Sequence, residues 1–77
     1  MTGITMYGAD WCSDCQRAKQ VLDESGVDYQ YIDLVAQPDA ASAAEAISGR
    51  KNIPVITFPD GTHLVEPSNA ELAAKLV

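Results

Sequence analysis

The sequence predicts an α/β fold in which three helices pack on a mixed four-stranded sheet, in the order β-α-β, α, β-β, α. The first half of the chain alternates β-prone runs with a segment of helical periodicity, a pattern typical of two parallel strands joined by a helix. The second half has two short β-prone runs on either side of the turn Pro59–Thr62. This pattern predicts an antiparallel hairpin, because Pro fixes φ and the Gly of the turn accepts positive φ.

The first strand and helix surround a tight connection. Gly3–Tyr7 is a short β-prone run, and Ser13–Ser25 has helical periodicity that Gly26 ends at a typical C′ position. Between them lies Gly8–Trp11. Apolar residues at spacings i, i+3, i+6 and i+7 share one face of this helix: Cys15, Ala18, Val21 and Leu22.

The middle of the chain predicts a second strand and a second helix. Val27–Leu34 mixes Val, Tyr, Ile and Leu with polar residues and predicts the strand that pairs with the first. Gln37–Pro38 then opens a helix, with Pro at its first position, and Gly49 ends it. Four apolar residues make the predicted inner face of this helix: Ala40, Ala43, Ala44 and Ile47.

The last elements are the hairpin and a capped helix. Val55–Phe58 and His63–Val65 are the two hairpin strands. Ser68–Glu71 has the Ser-x-x-Glu pattern of a capping box, which places the final helix at about Asn69–Leu76.

Length and composition fit one small domain over residues 1–77, with 47% hydrophobic residues. No apolar run approaches the ~20 residues of a membrane span. Met1–Ala9 lacks the basic and apolar segments of a signal peptide. We therefore expect a protein that works in the cytoplasm and has no membrane partner. We also expect it to be a monomer.

The charge balance excludes one class of partner. The chain has eleven acidic and five basic residues, which gives a net charge of −6. Nucleic-acid binding requires clustered cations, and only Arg50 and Lys51 stand together. We expect no nucleic-acid partner, and we interpret the acidity as an aid to solubility.

The chemistry-bearing motif is Cys12-Ser13-Asp14-Cys15 at the strand-to-helix junction. Cys12 precedes the helix, where free N–H groups and the helix dipole favour a thiolate. Cys15 lies one turn later on the apolar face and should stay a thiol. The pattern indicates thiol–disulfide exchange, in which Cys12 attacks a disulfide and Cys15 resolves the mixed disulfide.

Three points at this motif stay open. A zinc site needs four ligands, and His63 is the one further residue of the usual type, so a metal or iron–sulfur module would require a homodimer. Two inert core cysteines would also fit the composition, although the spacing at a helix start argues against them. The carboxylate of Asp14 disfavours a nearby thiolate, and Arg17 or Lys19 could offset it, so the net effect has no predicted sign.

The sequence also resembles a known family. Trp11-Cys12-Ser13-Asp14-Cys15 after a short strand, and Ile53-Pro54-Val55 before a hairpin, resemble the thioredoxin superfamily and glutaredoxins in particular. Tyr7 with Trp11-Cys12, and Asp60-Gly61-Thr62 followed by Glu66-Pro67-Ser68, are most similar to mycoredoxins. Mycoredoxins are glutaredoxin-like proteins of actinobacteria that use mycothiol in place of glutathione.

The resemblance implies a thioredoxin-like, glutaredoxin-type fold and assigns roles by position. Cys12 is then the nucleophile and Cys15 the resolving thiol. Pro54 matches the family's cis-proline, and the backbone of Ile53 pairs with the incoming thiol or peptide. Trp11 flanks the site as an apolar wall; a partly buried packing role is equally compatible with the sequence.

The chain departs from the glutaredoxin pattern in two places. Ser13 and Asp14 replace the usual Pro and aromatic residue between the cysteines, so the family's redox potential does not carry over. The stretch His63–Ser68 lacks the family's glycine pair where glutathione docks. This departure favours mycothiol over glutathione, with Ser68 and Asn69 offering hydrogen-bonding groups to a sugar-bearing thiol.

These observations predict a thiol–disulfide oxidoreductase with no bound cofactor and a low-molecular-weight thiol as its reductant. Its substrates are mixed disulfides or protein disulfides. One alternative is a glutaredoxin-like electron donor to a protein such as ribonucleotide reductase, fed by a thioredoxin reductase. The other is the metal- or cluster-binding homodimer module.

Overall fold

The computed structural model describes residues 3–76 and contains four strands and three helices. The predicted domain limits, 1 and 77, lie outside the described residues. The elements are β1 Ile4–Gly8, α1 Ser13–Glu24, β2 Tyr29–Asp33, α2 Ala40–Ser48, β3 Val55–Thr57, β4 His63–Val65 and α3 Asn69–Lys75.

The four strands form one mixed sheet in the order β2-β1-β3-β4. β1 and β2 are parallel, in register from Ile4 opposite Tyr29 to Gly8 opposite Asp33. β3 is antiparallel to both β1 and β4. The predicted parallel unit and the predicted hairpin are both confirmed, and β1, which leads into the cysteines, lies inside the sheet.

The start of α2 differs from the prediction. The helix begins at Ala40, whereas Gln37 precedes it outside the helix and Pro38 and Asp39 form a turn. The N–H groups of Ala40 and Ala41 donate to the carbonyls of Gln37 and Pro38, at 3.0 and 3.1 Å. These bonds span three residues, so this segment is wound more tightly than an α-helix.

The core lies between the sheet and helices α1 and α3. Met6 of β1, Ile56 of β3, Leu22 of α1 and Leu72 of α3 are all almost completely buried. Each such side chain contributes about 1.5–3 kcal/mol through removal of apolar surface from water. The predicted inner face of α1 is confirmed at Cys15, Ala18 and Leu22, while Val21 is half-buried.

The predicted inner face of α2 is wrong for two residues. Ala44 is buried, but Ala43 is exposed and Ile47 is 36% exposed. The residues of α2 with the least exposure are Ala40, Ala44 and Ser48, one row at spacing i, i+4, i+8. The helix therefore packs along a narrower stripe than its apolar residues suggest. Within residues 3–76, none of the helices is long and apolar enough to span a bilayer.

Candidate active site

Cys12 lies at the N-cap of α1, immediately after the connection from β1. Its N–H donates to the Ala9 carbonyl at 3.1 Å, and its own carbonyl accepts from Gln16 at 3.0 Å. Its Sγ accepts a hydrogen bond from the backbone N–H of Cys15 at 3.3 Å. The sulfur thus occupies the place of a capping oxygen, where a helix N-terminus stabilises negative charge.

Cys15 lies in a different environment, although the two cysteines are three residues apart. Its side chain is 1% exposed, whereas Cys12 is half-buried, and both are free thiols. Burial, followed by the hydrogen bond of its thiol to Cys12, raises the pKa of Cys15 to about 12. Cys15 is therefore a protonated thiol at neutral pH and becomes a nucleophile only when it loses that proton.

Gly8 is a residue of the site that the sequence did not reveal. A Cβ at this position would lie 3.0 Å from Cys15 Sγ and 3.2 Å from Cys15 Cβ. Such distances are too short for unstrained packing, so the absent side chain is what admits Cys15 against β1. In the sequence, the one signal for this role is a glycine at the point where the first strand ends.

The charge of Asp14 is paired. Arg17 Nη1 lies 3.3 Å from Asp14 Oδ1, and Arg17 Nη2 donates to the Pro67 carbonyl at 3.4 Å. Lys19 is directed elsewhere, with its Nζ 4.3 Å from the centre of the Tyr31 ring. Of the two cations that the sequence offered, Arg17 is the one that offsets Asp14, and it also ties α1 to the segment before α3.

The peptide bond between Ile53 and Pro54 is cis, as the resemblance implied. Pro54 is buried, and its carbonyl accepts from the Glu66 N–H at 2.9 Å. Ile53 and Cys12 are both partly buried against the same core cluster. The residue before the cis-proline and the first cysteine therefore pack against the same core cluster.

Trp11 is 74% exposed, next to Cys12. The alternative that Trp11 is a partly buried packing residue is therefore wrong. Its indole is an apolar surface open to solvent on the residue that precedes Cys12.

Ser68 and Asn69 lie at the start of α3. The hydroxyl of Ser68 accepts from the Glu71 N–H at 3.1 Å, and the Ser68 N–H donates to Glu71 Oε1 at 2.9 Å. The predicted capping box is confirmed. It uses the Ser68 hydroxyl and backbone N–H within the helix end, whereas Asn69 is exposed.

The described residues, 3–76, contain no cluster of metal-ligating side chains. No three His, Cys, Asp or Glu side chains of this part of the chain are grouped so that they could hold a metal ion. His63, the further ligand that the sequence offered, lies exposed at the start of β4.

The chain is similar in sequence to known proteins. The glutaredoxin family model matches residues 4–64. Mycoredoxin 1 of Corynebacterium glutamicum is 32% identical over 77 residues, covering 99% of this chain and 95% of that protein.

Two solved structures share the fold. The crystal structure of a glutaredoxin from Archaeoglobus fulgidus superposes with a TM-score of 0.83 at 25% identity, over 96% of this chain and 85% of that one. The NrdH-redoxin of Escherichia coli, described as glutaredoxin-like with a thioredoxin-like activity profile, superposes with a TM-score of 0.77 at 25% identity, over 92% and 91%. The thioredoxin-like fold is thereby confirmed, and the chain belongs to the glutaredoxin family of thiol–disulfide oxidoreductases.

Proposed function

We propose that this chain reduces mixed disulfides between proteins and a low-molecular-weight thiol through its dithiol motif, and that the thiol is mycothiol. The unequal environments of the two cysteines carry this proposal. Cys12 holds its sulfur at the N-cap of α1, while Cys15 is a buried, protonated thiol one turn away.

The proposed reaction has two exchange steps. The Cys12 thiolate attacks a sulfur of the substrate disulfide, a bond forms between Cys12 and that sulfur, and the other sulfur leaves as a thiolate that takes up a proton. Cys15 then loses its proton and attacks Cys12 Sγ, which releases the second thiol and leaves a Cys12–Cys15 disulfide. Two electrons pass from the cysteine pair to the substrate, and the reducing thiol returns them by the reverse exchange.

The substrate contacts are proposed from the same region. The backbone of Ile53, before cis-Pro54, pairs with the bound thiol or peptide in the manner of an added strand. Trp11 offers exposed apolar surface to the group attached to the reacting sulfur. Ser68 and Asn69 would contact a sugar-bearing thiol, and of these Asn69 has the freer side chain because Ser68 is engaged in the cap.

Mycothiol is proposed over glutathione on two grounds. The C. glutamicum relative, named mycoredoxin 1, matches almost the whole chain. In addition, the segment His63–Ser68 lacks the glycine pair that glutaredoxins carry. We further propose that the protein is a cytoplasmic monomer whose partners are disulfide-containing proteins.

Steady-state turnover with separate electron donors tests the thiol. The reduction of one mixed-disulfide substrate would be compared with mycothiol and its reductase, with glutathione and its reductase, and with thioredoxin reductase alone. We expect mycothiol to give the highest kcat/KM. A Cys12→Ser variant is the control and should be inactive with every donor.

The likeness to NrdH-redoxin favours a second candidate function. That protein is described as having a thioredoxin-like activity profile. Efficient turnover by thioredoxin reductase, with none by mycothiol, would overturn the first proposal and support an electron donor to a protein such as ribonucleotide reductase.

A further inference from the structure

Glu66 has a backbone conformation that its residue type disfavours. Its φ is +48°, and it is the one non-glycine residue with positive φ in the described range 3–76. This left-handed region is readily accessible to glycine and unfavourable for a residue with a long side chain. Residues with strained backbone conformations are common at functional sites, so the Glu66 side chain is a candidate for a functional role.

Both ends of Glu66 are fastened to the cis-proline segment. Its N–H donates to the Pro54 carbonyl at 2.9 Å, and its Oε1 accepts from Asn52 Nδ2 at 2.5 Å. The next residue, Pro67, accepts a hydrogen bond from Arg17 of α1. Glu66 and Pro67 thus form a connection that is hydrogen-bonded to the segment that would pair with a bound thiol and to the helix that carries the cysteines.

The negative charge of Glu66 is exposed and has no cation beside it among the described residues. Arg17 pairs with Asp14, and Lys75 pairs with Asp60. Arg50 and Lys51 line a groove of about 320 Å³ together with Asn52 and Ile53, but neither forms an ion pair with Glu66. A ligand carboxylate placed next to Glu66 therefore meets a negative charge that no ion pair offsets.

We propose that Glu66 is a specificity-determining residue that disfavours thiols carrying a carboxylate and so selects thiol partners without one. The inference rests on the proposed function, since it assumes that the thiol docks beside Ile53 and Pro54. It explains why a glutamate occupies a backbone position that suits glycine. Selection here acts through repulsion of the wrong ligand, a common source of discrimination between similar ligands.

Two mixed disulfides of one reporter peptide test the inference. One carries glutathione, which has two carboxylates, and the other carries 2-mercaptoethanol, which has none. The measured quantity is the ratio of the two second-order rate constants for reaction with reduced protein. Glu66→Gln keeps the length and an oxygen acceptor for Asn52 but removes the charge, and should raise the glutathione-to-mercaptoethanol ratio about tenfold at low salt.

Two further variants distinguish the local charge of Glu66 from its backbone conformation and from the net charge of the protein. Glu66→Gly relieves the positive φ and also removes the charge, so it should raise the ratio as Glu66→Gln does. Glu24→Gln removes the same charge at the far end of α1 and should leave the ratio within about twofold of wild type.

Three outcomes would overturn the inference. One is an unchanged ratio in Glu66→Gln, and the second is an equal rise in Glu24→Gln. The third is reaction of wild type with neither compound nor with the mycothiol mixed disulfide of the same peptide, which would also remove the proposed function; a normal reaction with mercaptoethanol and an unchanged ratio would remove the Glu66 inference alone.

Discussion

The sulfur of Cys12 accepts a hydrogen bond from the backbone N–H of Cys15 at 3.3 Å. Two residues of one sequence motif are therefore tied together before any disulfide forms. The sulfur of Cys12 caps the N-terminus of α1, and the sulfur of Cys15 is buried in the core. The division of labour that we propose for them rests on this difference in position.

Alkylation should separate the two cysteines by rate. At pH 7 we expect iodoacetamide to modify Cys12 at least about a hundredfold faster than Cys15, because Cys15 is almost inaccessible and remains protonated. Peptide mapping by mass spectrometry at timed intervals measures both rates. The Cys12→Ser variant is the control, in which Cys15 should remain slow; equal rates would contradict the assignment.

The raised pKa of Cys15 makes the reduced protein less stable in alkali. The folded state keeps the Cys15 proton from the ordinary value of 9.0 up to about 12, whereas the unfolded state loses it near 9.0. Fewer protons are then bound when the chain is unfolded, so the free energy of unfolding falls as pH rises between these values, by at most about 1.4 kcal/mol per pH unit.

Urea unfolding from pH 8 to 11 measures this loss. The pKa values of Tyr29 and Tyr31 are also raised, first by burial, so they add to the decline at the upper end. Comparison with Cys15→Ala isolates the cysteine, since that variant should lose less stability over the same interval. Parallel curves for the two proteins would show that Cys15 does not titrate as described.

Gly8→Ala should destabilise the fold and disturb the resolving cysteine. The new methyl group would press on Cys15 Sγ from within β1, at a cost of about 1–3 kcal/mol. The same substitution in a Cys15→Ala background should cost less, because the sulfur that it meets is gone. A double-mutant cycle by urea unfolding gives this coupling, and strictly additive effects would place the strain elsewhere.

Ser68→Ala and Asn69→Ala separate capping from thiol binding. Ser68→Ala removes the cap of α3 and should lower the free energy of unfolding by about 0.5–2 kcal/mol. Asn69→Ala leaves the capping box intact and should change stability little, but should raise KM for mycothiol if Asn69 contacts it. A change in KM for Ser68→Ala alone would transfer the ligand role to Ser68.

The sequence predicted the sheet because its signals are local. Two β-prone runs around a helical segment, and the Pro-Asp-Gly turn between two others, specify neighbouring strands without reference to the rest of the chain. The capping box at Ser68 and Glu71 is local in the same sense, and it lies where it was predicted. The start of α2 was misplaced because Pro38 suits both a first helical turn and the tighter turn that it adopts.

The parts of the site that were missed depend on contacts distant in sequence. Gly8 matters because Cys15 packs against it, and the presence of a glycine in the sequence does not show which residue will contact it. Arg17 and Lys19 were equal candidates to offset Asp14 until the fold brought Pro67 to one and Tyr31 to the other. The proposed role of Glu66 likewise depends on its hydrogen bond to Pro54, twelve residues earlier in the chain.

We propose that Cys12 attacks and Cys15 resolves, and intact-mass analysis after reaction with oxidised mycothiol is the sharpest test of these two roles. Cys15→Ser should accumulate one mycothiol adduct on Cys12, because the resolving thiol is absent. Wild type should pass to the internal disulfide, and Cys12→Ser should form no adduct. An adduct on Cys12→Ser, or none on Cys15→Ser, would show that Cys12 is not the attacking thiol.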